Sequence, residues 1–381
     1  MGVTKSTHQV GTLVIGGGIA GVSAAYFLAA AGEASIVVLE ANELASGCTQ
    51  GSLGGVRQQF STAPEVELAI RGLKFWRDFE KDFDYPCPFY EDGYLLVTGR
   101  EDIFANLHSA ADVQRAQGAT NVALLDADAL TDVAPWISPV DLLGGSYTPN
   151  DGRFNPTDGL YGIARAARAL GVDIREHTAV THLEHTSSGW RIDAGDVFIA
   201  QRVVIAAGLA TPKLVRPFGV ELDITPLWLH CGYTTEVATG LAMPLTIDLD
   251  SGLIIERDGV GACVTVSDTR YGPSGLHAVM EEFAELVAVR APMFSDVGIR
   301  ATTSAAFDAT GGDGHAYVGE IQDGLWVLAG FDGHGTMQGP ALAKMLVNLM
   351  AGNGDDVLDV AIFDPRRIVG GKEEWLRAAK N

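Results

Sequence analysis

One uncharged stretch near the N-terminus, LVIGGGIAGVSAAYFLAAAG from Leu13 to Gly32, limits most strongly what this chain can fold into. Its length would suit a membrane-spanning helix or the apolar part of a signal peptide. However, five of its twenty positions are glycine, and four of these fall in one six-residue cluster. Glycine destabilises a helix but is needed where a chain turns sharply from a strand into a helix. The stretch therefore predicts a strand, a tight turn and a helix that ends at Gly32.

The turn has the spacing of a dinucleotide-binding site. Gly16-x-Gly18-x-x-Gly21 follows a β-branched apolar run, and the next predicted strand, 36–39, stops at Glu40, 24 residues after Gly16. In such a turn the first glycine permits the bend, the second lets the backbone approach a pyrophosphate, and the third lets the helix pack against the strand. The helix N-terminus attracts phosphate, and the acid accepts hydrogen bonds from a ribose. These features predict a phosphate cradle, with a glycine-rich packing turn as the alternative.

Composition narrows the class of protein. The chain has 381 residues, 47% of them hydrophobic and 19% charged, which is enough for two joined domains with a large core. The formal net charge of -22 argues against nucleic acid and anionic membrane surfaces as partners. The four cysteines have no CxxC spacing and favour a reducing compartment. Because the apolar N-terminal stretch is assigned to the fold, we expect a cytoplasmic protein without a membrane span.

Changes in hydrophobic pattern divide the chain into alternating segments. Residues 1–85, 150–220 and 300–381 have the strand and helix pattern of one parallel α/β domain. Residues 86–149 and 221–299 are β-rich insertions that would build a second domain. The predicted fold class is therefore α/β, a Rossmann-like nucleotide-binding domain with a β-rich α+β substrate domain formed by insertions.

Further motifs follow the first glycine turn in a fixed order. They are the loop ASGCTQGSLGGVRQQF from Ala45, DGRFNP from Asp151, Val180, Ala206-Ala207-Gly208, GFDGHGTMQGPALA from Gly330 and FDPRR from Phe363. Together with the glycine turn and Glu40, they resemble the D-amino-acid oxidase superfamily of FAD-dependent oxidoreductases. The resemblance is strongest to the branch of sarcosine oxidase, glycine oxidase and dye-linked proline dehydrogenase, and it spans nearly the whole chain. It implies that the α/β domain binds FAD.

The resemblance implies a set of FAD contacts. Gly16, Gly18 and Gly21 would hold the pyrophosphate, Glu40 the adenosine ribose and Val180 the adenine. The other cofactor contacts that it implies are Ile19, Ala20, Ala41, Ser46, Ser52, Leu53, Gly54, Gly55, Ala207, Gly208, Gly330, Gly333, His334, Gly335, Thr336 and Met337. Some members attach the flavin through a cysteine in the stretch that corresponds to 304–313. This chain has no cysteine there, so non-covalent FAD is expected.

The resemblance also implies a reaction. Its members oxidise a carbon–nitrogen bond of a primary or secondary amine or amino acid, with hydride transfer to flavin N5, an imine product, and O2 or a protein or quinone as the electron acceptor. Such a step depends on positioning, a dry pocket and charge stabilisation. Arg57 and His334 are the polar side chains expected nearest the flavin. His230, in an apolar strand, could act as an acid or base or orient the substrate, or it could be a buried core residue.

Two departures from the family pattern bear on the substrate. Many members bind a substrate carboxylate with a basic residue two positions after the GHG, which is Met337 here, or with an arginine in the stretch 304–313, which has none. Either the substrate is a larger amine without a carboxylate there, or another arginine binds it. The candidates for that role are Arg57, Arg153, Arg257 and Arg300. Asp308 and Asp313 would favour a cationic substrate if they faced the pocket, and are otherwise solvated turn residues.

Two other functions remain open. The same scaffold could oxidise a 2-hydroxy acid or alcohol, with His230 as the base and Arg57 as the anion ligand. The chain could also be a non-catalytic flavoprotein retained as an assembly subunit. No metal site is predicted, because His177, His182 and His185 are spaced so that they do not share one face of a strand.

Overall fold

The structure is a computed structural model that describes residues 6–238, 240–268 and 272–367. Residues 1–5 and 368–381 of the predicted α/β domain lie outside the described residues. The strands, in chain order, are β1 (Thr7–Ile15), β2 (Ile36–Leu39), β3 (Gly55–Val56), β4 (Tyr94–Thr98), β5 (Ala123–Asp126), β6 (Gly144–Thr148), β7 (Gly152–Arg153), β8 (Asp173–Arg175), β9 (His182–Thr186), β10 (Gly189–Ala194), β11 (Asp196–Ile205), β12 (Ile224–Thr234), β13 (Leu245–Asp248), β14 (Leu253–Asp258), β15 (Gly261–Asp268), β16 (Ile299–Thr310), β17 (Tyr317–Gln322) and β18 (Leu325–Ala329). The α-helices are α1 (Ile19–Ala30), α2 (Ala63–Phe83), α3 (Glu101–Ala116), α4 (Ala127–Val133), α5 (Pro156–Ala169), α6 (Thr211–Val215), α7 (Leu276–Arg290) and α8 (Gly335–Met350).

The first sheet has the strand order β17-β18-β11-β1-β2-β8, and outside this order β10 pairs with β11 and β9 with β10. β1 pairs in parallel with both β2 and β11, and α1 connects β1 to β2. This is the strand–turn–helix–strand unit that the N-terminal glycine turn predicts, since parallel strands require a crossover. β18 also runs parallel to β11, so the carboxyl ends of these strands meet at one edge of the sheet. Ligands of open α/β sheets bind at this edge.

Both faces of the first sheet are covered by buried side chains. On one face, Val14 packs with Leu28 of α1 and Leu346 of α8. On the other face, Leu13 packs with Trp190 of the antiparallel extension. Each fully buried side chain of this kind contributes about 1.5–3 kcal/mol relative to an exposed one. The two-sided burial explains why β1 ends in a continuous apolar run, from Leu13 to Ile15, rather than in an alternating pattern.

The second sheet has the strand order β16-β12-β15-β14-β13-β4-β6-β5. Helix α7 packs on one face, where Val279 and Phe283 contact Val264 and Val266 of β15. The whole of β16 pairs with β12 in this sheet, from Ile224↔Thr310 to Thr234↔Ile299. The sequence prediction instead assigned residues 300–310 to the first domain. The sheet to which a strand belongs is set by long-range pairing, which the local pattern of small residues does not reveal.

A third, two-stranded sheet joins β3 to β7 and thereby ties the loop after β2 to the DGRFNP motif. Among the described residues, no helix combines the length and apolar character needed to cross a membrane.

Candidate functional site

A cavity of about 1620 Å³ lies where the carboxyl edge of the first sheet meets one face of the second sheet. Its walls come from the ends of β1, β2 and β11, from the loop after β2, from the loop before α8, and from six strands of the second sheet. Those strands are β4, β12, β13, β14, β15 and β16. The volume exceeds the roughly 300–1,000 Å³ of common ligand pockets. The cavity therefore has room for a dinucleotide and a second molecule.

The predicted phosphate cradle is present as the turn between β1 and α1. Gly16 has a φ of 118°, a conformation that favours glycine. Gly18 is extended and caps α1, whose first-turn amides have no carbonyl partner within the helix. A Cβ atom at Gly18 would meet only Thr49 Oγ1, at 3.4 Å, beyond its chain neighbours. Because Gly18, Ile19 and Ala20 line the cavity beside this open space, the turn fits a diphosphate.

Glu40 follows β2 and lines the cavity. Its carboxylate oxygens accept hydrogen bonds from the Gly17 N–H at 2.7 Å and the Asn42 N–H at 2.8 Å. These bonds fix the carboxylate and leave lone pairs for ribose hydroxyls. The Thr178 N–H donates to the Glu40 carbonyl at 2.7 Å, which brings the predicted adenine contact Val180 to the same end of the cavity.

Three predicted cofactor contacts are glycines that the structure uses for packing. A Cβ atom at Gly21 would lie 2.1 Å from the Gly16 carbonyl oxygen. One at Gly54 would lie 2.0 Å from a carbonyl oxygen, and one at Gly330 would lie 2.8 Å from an aromatic ring. None of the three lines the cavity, which corrects the direct contacts that the resemblance implies. In a sequence, a glycine needed for close packing looks the same as one needed for ligand contact.

The other predicted cofactor contacts all line the cavity. Ser52 Oγ and Thr336 Oγ1 are hydrogen-bonded at 2.9 Å, which joins the loop after β2 to the start of α8. The remaining lining residues among those predicted are Gly16, Ala41, Ser46, Leu53, Gly55, Ala207, Gly208, Gly333, His334, Gly335 and Met337. Both glycine loops therefore face the same cavity, as an extended dinucleotide requires.

Two aspartates hold the loop before α8. Asp308 Oδ2 accepts hydrogen bonds from the N–H groups of Gly330, at 2.9 Å, and Phe331, at 3.2 Å. Asp332 Oδ1 accepts from the Thr310 N–H at 3.2 Å. Burial raises the pKa of Asp308 to about 6 against the opposing effect of its backbone hydrogen bonds. Asp308 lines the cavity, but its carboxylate is occupied in positioning this loop.

Arg57 places a buried positive charge at the cavity. The residue is 7% exposed and lines the cavity wall. Its guanidinium donates to the Gln59 carbonyl, lies 3.2 Å from His334 Nε2 and stacks over the Phe60 ring at 4.0 Å. Burial lowers its pKa, and the nearby Tyr94, Asp151 and Glu65 act in the opposite direction. Within the described part of the chain it forms no ion pair with a carboxylate, so a carboxylate-bearing ligand would complete its charge pairing.

The DGRFNP motif positions the Arg57 backbone. Asp151 accepts hydrogen bonds from the Gln58 N–H, at 2.9 Å, and from the Gln58 side-chain amide, at 2.8 Å. The Arg57 N–H donates to Met337 Sδ at 3.2 Å. Met337, at the position where many relatives carry a basic residue, therefore accepts a hydrogen bond that helps to position the Arg57 backbone.

The other three arginines considered for carboxylate binding lie outside the cavity. Arg153 pairs with Asp92 at 3.0 Å. Arg257 donates to the Leu241 carbonyl at 2.8 Å, and Arg300 pairs with an exposed aspartate. Of the four, Arg57 is the one that the fold brings to the cavity.

His230 does not reach the cavity. It is 0% exposed, and its Nδ1 lies 2.8 Å from Ser304 Oγ. Trp228, Leu229 and Tyr233 of the same strand line the cavity, and so does Ser304, but His230 itself does not. His230 is thus a buried, hydrogen-bonded residue one layer behind the cavity wall, which favours the core role over direct contact with a substrate.

Asp313 and Cys48 are two further side chains that could react with or bind a ligand, and the structure gives neither of them an available charge at the cavity. Asp313 forms a bidentate ion pair with Arg367, with both distances 2.8 Å, and does not line the cavity. Cys48 lines the cavity, but burial, with a smaller effect of Asp308, raises the pKa of its thiol to about 12 and keeps it protonated. Among the described residues, no group of three His, Cys, Asp or Glu side chains could hold a metal ion.

Two parts of the site are not predictable from the sequence. Thr49 Oγ1 accepts a hydrogen bond from the Ile19 N–H at 3.0 Å and so holds the loop after β2 against the start of α1. The wall contributed by the second sheet, which includes Tyr94, Ile247 and Ile254, is the other part. The apolar residues of these strands indicate burial, but the sequence does not say which face of a strand meets the cavity.

Comparisons with known proteins agree with this geometry. Residues 12–349 match the family DAO, described as FAD dependent oxidoreductase. The chain is 30% identical to 4-methylaminobutanoate oxidase (formaldehyde-forming) of Paenarthrobacter nicotinovorans, over 96% of this chain and 46% of that protein. It thus spans about half the length of that relative. It is 26% identical to glycine oxidase of Geobacillus kaustophilus (strain HTA426), over 96% of this chain and 98% of that protein.

The fold also has a solved counterpart. The crystal structure of L-proline dehydrogenase from P. horikoshii superposes with a TM-score of 0.87 at 22% identity, covering 95% of this chain and 98% of that one. The family match confirms FAD as the cofactor and the α/β fold with a second, β-rich domain. By its sequence, its fold and the cradle between its two glycine loops, the chain belongs to the D-amino-acid oxidase family of FAD-dependent oxidoreductases.

Proposed function

We propose that this protein oxidises a carbon–nitrogen bond of a primary or secondary amine that also carries a carboxylate. The observation that carries the proposal is Arg57, a buried guanidinium at the cavity without a carboxylate partner among the described residues. Relatives named glycine oxidase and 4-methylaminobutanoate oxidase act on molecules that contain both an amine and a carboxylate. The catalytic roles assigned to Arg57 and His334 are part of this proposal.

The residues of the chain have separable tasks in this function. When bound, FAD supplies the ring that accepts the hydride. The cradle at Gly18 and the carboxylate of Glu40 hold the nucleotide, and the N-terminus of α8 presents its positive dipole to the cavity. Arg57 binds the substrate carboxylate and orients the carbon–hydrogen bond. His334 Nε2, 3.2 Å from the Arg57 guanidinium, accepts a hydrogen bond from it when the ring proton is on Nδ1 and so fixes the guanidinium plane.

The flavin is expected to be bound without a covalent link. Cys48 is the cysteine that lines the cavity, and its raised pKa disfavours the thiolate that an attachment would need. Acid precipitation of the purified holoprotein should release all yellow colour into the supernatant. Colour retained in the pellet would contradict this expectation.

Anaerobic reduction of the flavin tests the reaction class. Amino acids and N-alkyl amino acids are mixed with the holoprotein, and bleaching of the visible flavin bands is followed against matched 2-hydroxy acids. Bleaching by the amines alone supports the proposal. Bleaching by the hydroxy acids alone would favour the alcohol dehydrogenase alternative, and no bleaching by either class would favour a non-catalytic assembly subunit.

The electron acceptor and the location are separate proposals. O2 consumption compared with dye reduction during turnover separates an oxidase from a dehydrogenase that passes electrons to a protein or quinone. A cytoplasmic location is supported by four cysteines that are all free thiols, and by the net charge, which disfavours anionic membranes and nucleic acid. Cell fractionation with immunodetection of the natural protein tests the location.

We also propose that the first sheet binds the cofactor and the second sheet binds the substrate. Residues 1–85, 150–220 and the chain after residue 310 would hold FAD, and the second sheet, including β16, would form the substrate domain.

A further inference from the structure

We propose that the substrate is an amino acid with a large apolar side chain, which lies against an aliphatic surface of the second sheet. This inference rests on the proposed function and adds the class of substrate. It is drawn from the residues that line the cavity beyond the cofactor cradle.

Four aliphatic side chains form this surface, and we call Leu96, Leu245, Ile247 and Ile254 the aliphatic wall. They occupy adjacent rungs of three neighbouring strands, because Ile247 is paired with Leu96 of β4 and with Ile254 of β14. Ile247 and Ile254 are partly exposed, whereas Leu96 and Leu245 on the same face are buried in the cluster that includes Ile103 of α3. The wall therefore presents a continuous apolar area to the cavity rather than scattered contacts.

The wall begins beside Arg57. Leu245 is paired with Tyr94, whose ring centroid lies 6.0 Å from the Arg57 guanidinium carbon. A Cβ atom at Gly55, two residues before Arg57, would lie 2.7 Å from a methyl group of Leu245. A carboxylate bound at Arg57 consequently places the adjoining side chain of an amino acid over the wall.

Among the described residues, the aliphatic wall contains no charged side chain, and no carboxylate of the cavity lining belongs to its strands. The carboxylates that line the cavity belong to Glu40, at the adenosine end, and to Asp308 and Asp332, which accept hydrogen bonds from backbone N–H groups of the strand and loop near α8. A basic side chain laid on the wall would lose its hydration without a carboxylate to compensate for it. Glycine or sarcosine would leave the wall in contact with water.

The expected selectivity follows from apolar burial. Each methylene removed from water is worth about 0.8 kcal/mol, which corresponds to about a fourfold change in a dissociation constant. A side chain of three or four carbons should therefore bind tens to hundreds of times more tightly than that of glycine.

Equilibrium binding of unreactive carboxylates to the holoenzyme tests the proposal independently of turnover. Acetate, butanoate and hexanoate are titrated while the perturbation of the flavin absorption spectrum is recorded. We expect the Kd to fall about fourfold per methylene along the series. The double variant Ile247→Ser, Ile254→Ser should flatten this dependence, and Val260→Ser, an exposed residue of the turn after β14, should leave it unchanged.

The outcomes separate this inference from the proposed function. Equal Kd values for the three carboxylates, or a slope that the double variant leaves intact, would overturn the aliphatic wall as a specificity surface. A steep slope without bleaching by any amine would overturn the proposed reaction while supporting the wall. If glycine bleached the flavin as fast as leucine or phenylalanine and the Kd were the same for all three carboxylates, the proposed role of the wall would be wrong. The proposed reaction would still stand.

Discussion

At the scale of single residues, burying the Arg57 guanidinium costs free energy but leaves a positive charge available to a ligand. Burying a guanidinium is unfavourable unless hydrogen bonds and opposite charge compensate for its lost hydration. Here the Gln59 carbonyl and the faces of Phe60 and Tyr94 supply part of this compensation. The remainder is available to a bound anion, so the site is organised for a carboxylate before the ligand arrives.

Replacing this charge should weaken carboxylate binding far more than it weakens the fold. For Arg57→Met we expect the Kd of a carboxylate ligand to rise about 30-fold or more, the equivalent of losing about 2 kcal/mol of charged interaction. Titration of the flavin spectrum with hexanoate measures the change. Arg300→Met, which removes an exposed pair, is the matched control and should leave the Kd unchanged. An unaltered Kd in Arg57→Met would show that the carboxylate binds elsewhere.

Two glycines of the same motif should respond differently to one added methyl group. Gly18→Ala places Cβ at the cavity without a backbone clash, so the protein should fold while its affinity for FAD falls about 10- to 100-fold. Gly21→Ala places Cβ 2.1 Å from the Gly16 carbonyl oxygen, so the unfolding temperature of the apoprotein itself should drop. Thermal unfolding of both apoproteins and FAD titration distinguish the two effects. Equal stability of the two variants would contradict the assigned roles.

At the scale of elements, a buried polar cluster joins α2 and α8 to the segment before β17. Glu65 of α2 accepts a hydrogen bond from the Gln338 side-chain amide at 2.6 Å and contacts His315 Nδ1 at 2.6 Å. Burial alone would lower the pKa of His315, but the hydrogen bond to Glu65 and the charges of Glu65 and Asp313 raise it overall. The charged pair thus links α2 to the segment before β17, and the hydrogen bond from Gln338 links α2 to α8.

This cluster should make stability depend on pH. Because the pKa of His315 is raised in the folded state, its stabilising contribution is fully present below the ordinary histidine pKa and is lost as the pH rises through the folded value. His315→Gln should therefore lower the free energy of unfolding by about 1.5–3 kcal/mol at pH 6 and by less at pH 9. Denaturant unfolding at both pH values measures the difference, with the exposed His108→Gln as the control. A loss that is larger at pH 9 would refute the assignment.

At the scale of the whole molecule, the cofactor site is shared by segments that are far apart in the chain. The cradle follows β1, the adenosine end includes Val180, and the second glycine loop precedes α8. The second sheet closes the same cavity from the other side. Ligand binding at such a site favours the arrangement in which all these segments are assembled.

Removal of FAD should consequently lower the stability of the entire described fold. Restoring FAD at about a thousand times its Kd should raise the free energy of unfolding by about 4 kcal/mol. Differential scanning calorimetry of the apoprotein at increasing FAD concentration measures this shift. Riboflavin, which lacks the phosphates and adenosine that the cradle and Glu40 would bind, is the matched control ligand and should stabilise less. Identical curves with and without FAD would contradict the shared site.

Much of the first sheet and of the cofactor cradle could be predicted because the signals are local. The run before Gly16, the helix to Ala30 and the acid after β2 are each specified by neighbouring residues, and the structure has them in the expected order. Glu40 and Val180 were predicted by resemblance and lie at the cavity. The sheet to which β16 belongs could not be predicted, because its partner β12 lies about 70 residues earlier in the chain.

The sequence by itself determined the strand–turn–helix at the N-terminus, the second glycine loop and the family, because these depend on short-range spacing and on backbone conformations that glycine allows. Only the tertiary structure decided that His230 is buried behind the cavity lining, that Arg57 alone of the four arginines reaches the cavity, and that aliphatic residues of three strands form one wall. These outcomes depend on strand pairing and on which sheet face meets the cavity. Such long-range choices are made by the packing of the whole chain and leave no mark in any local pattern.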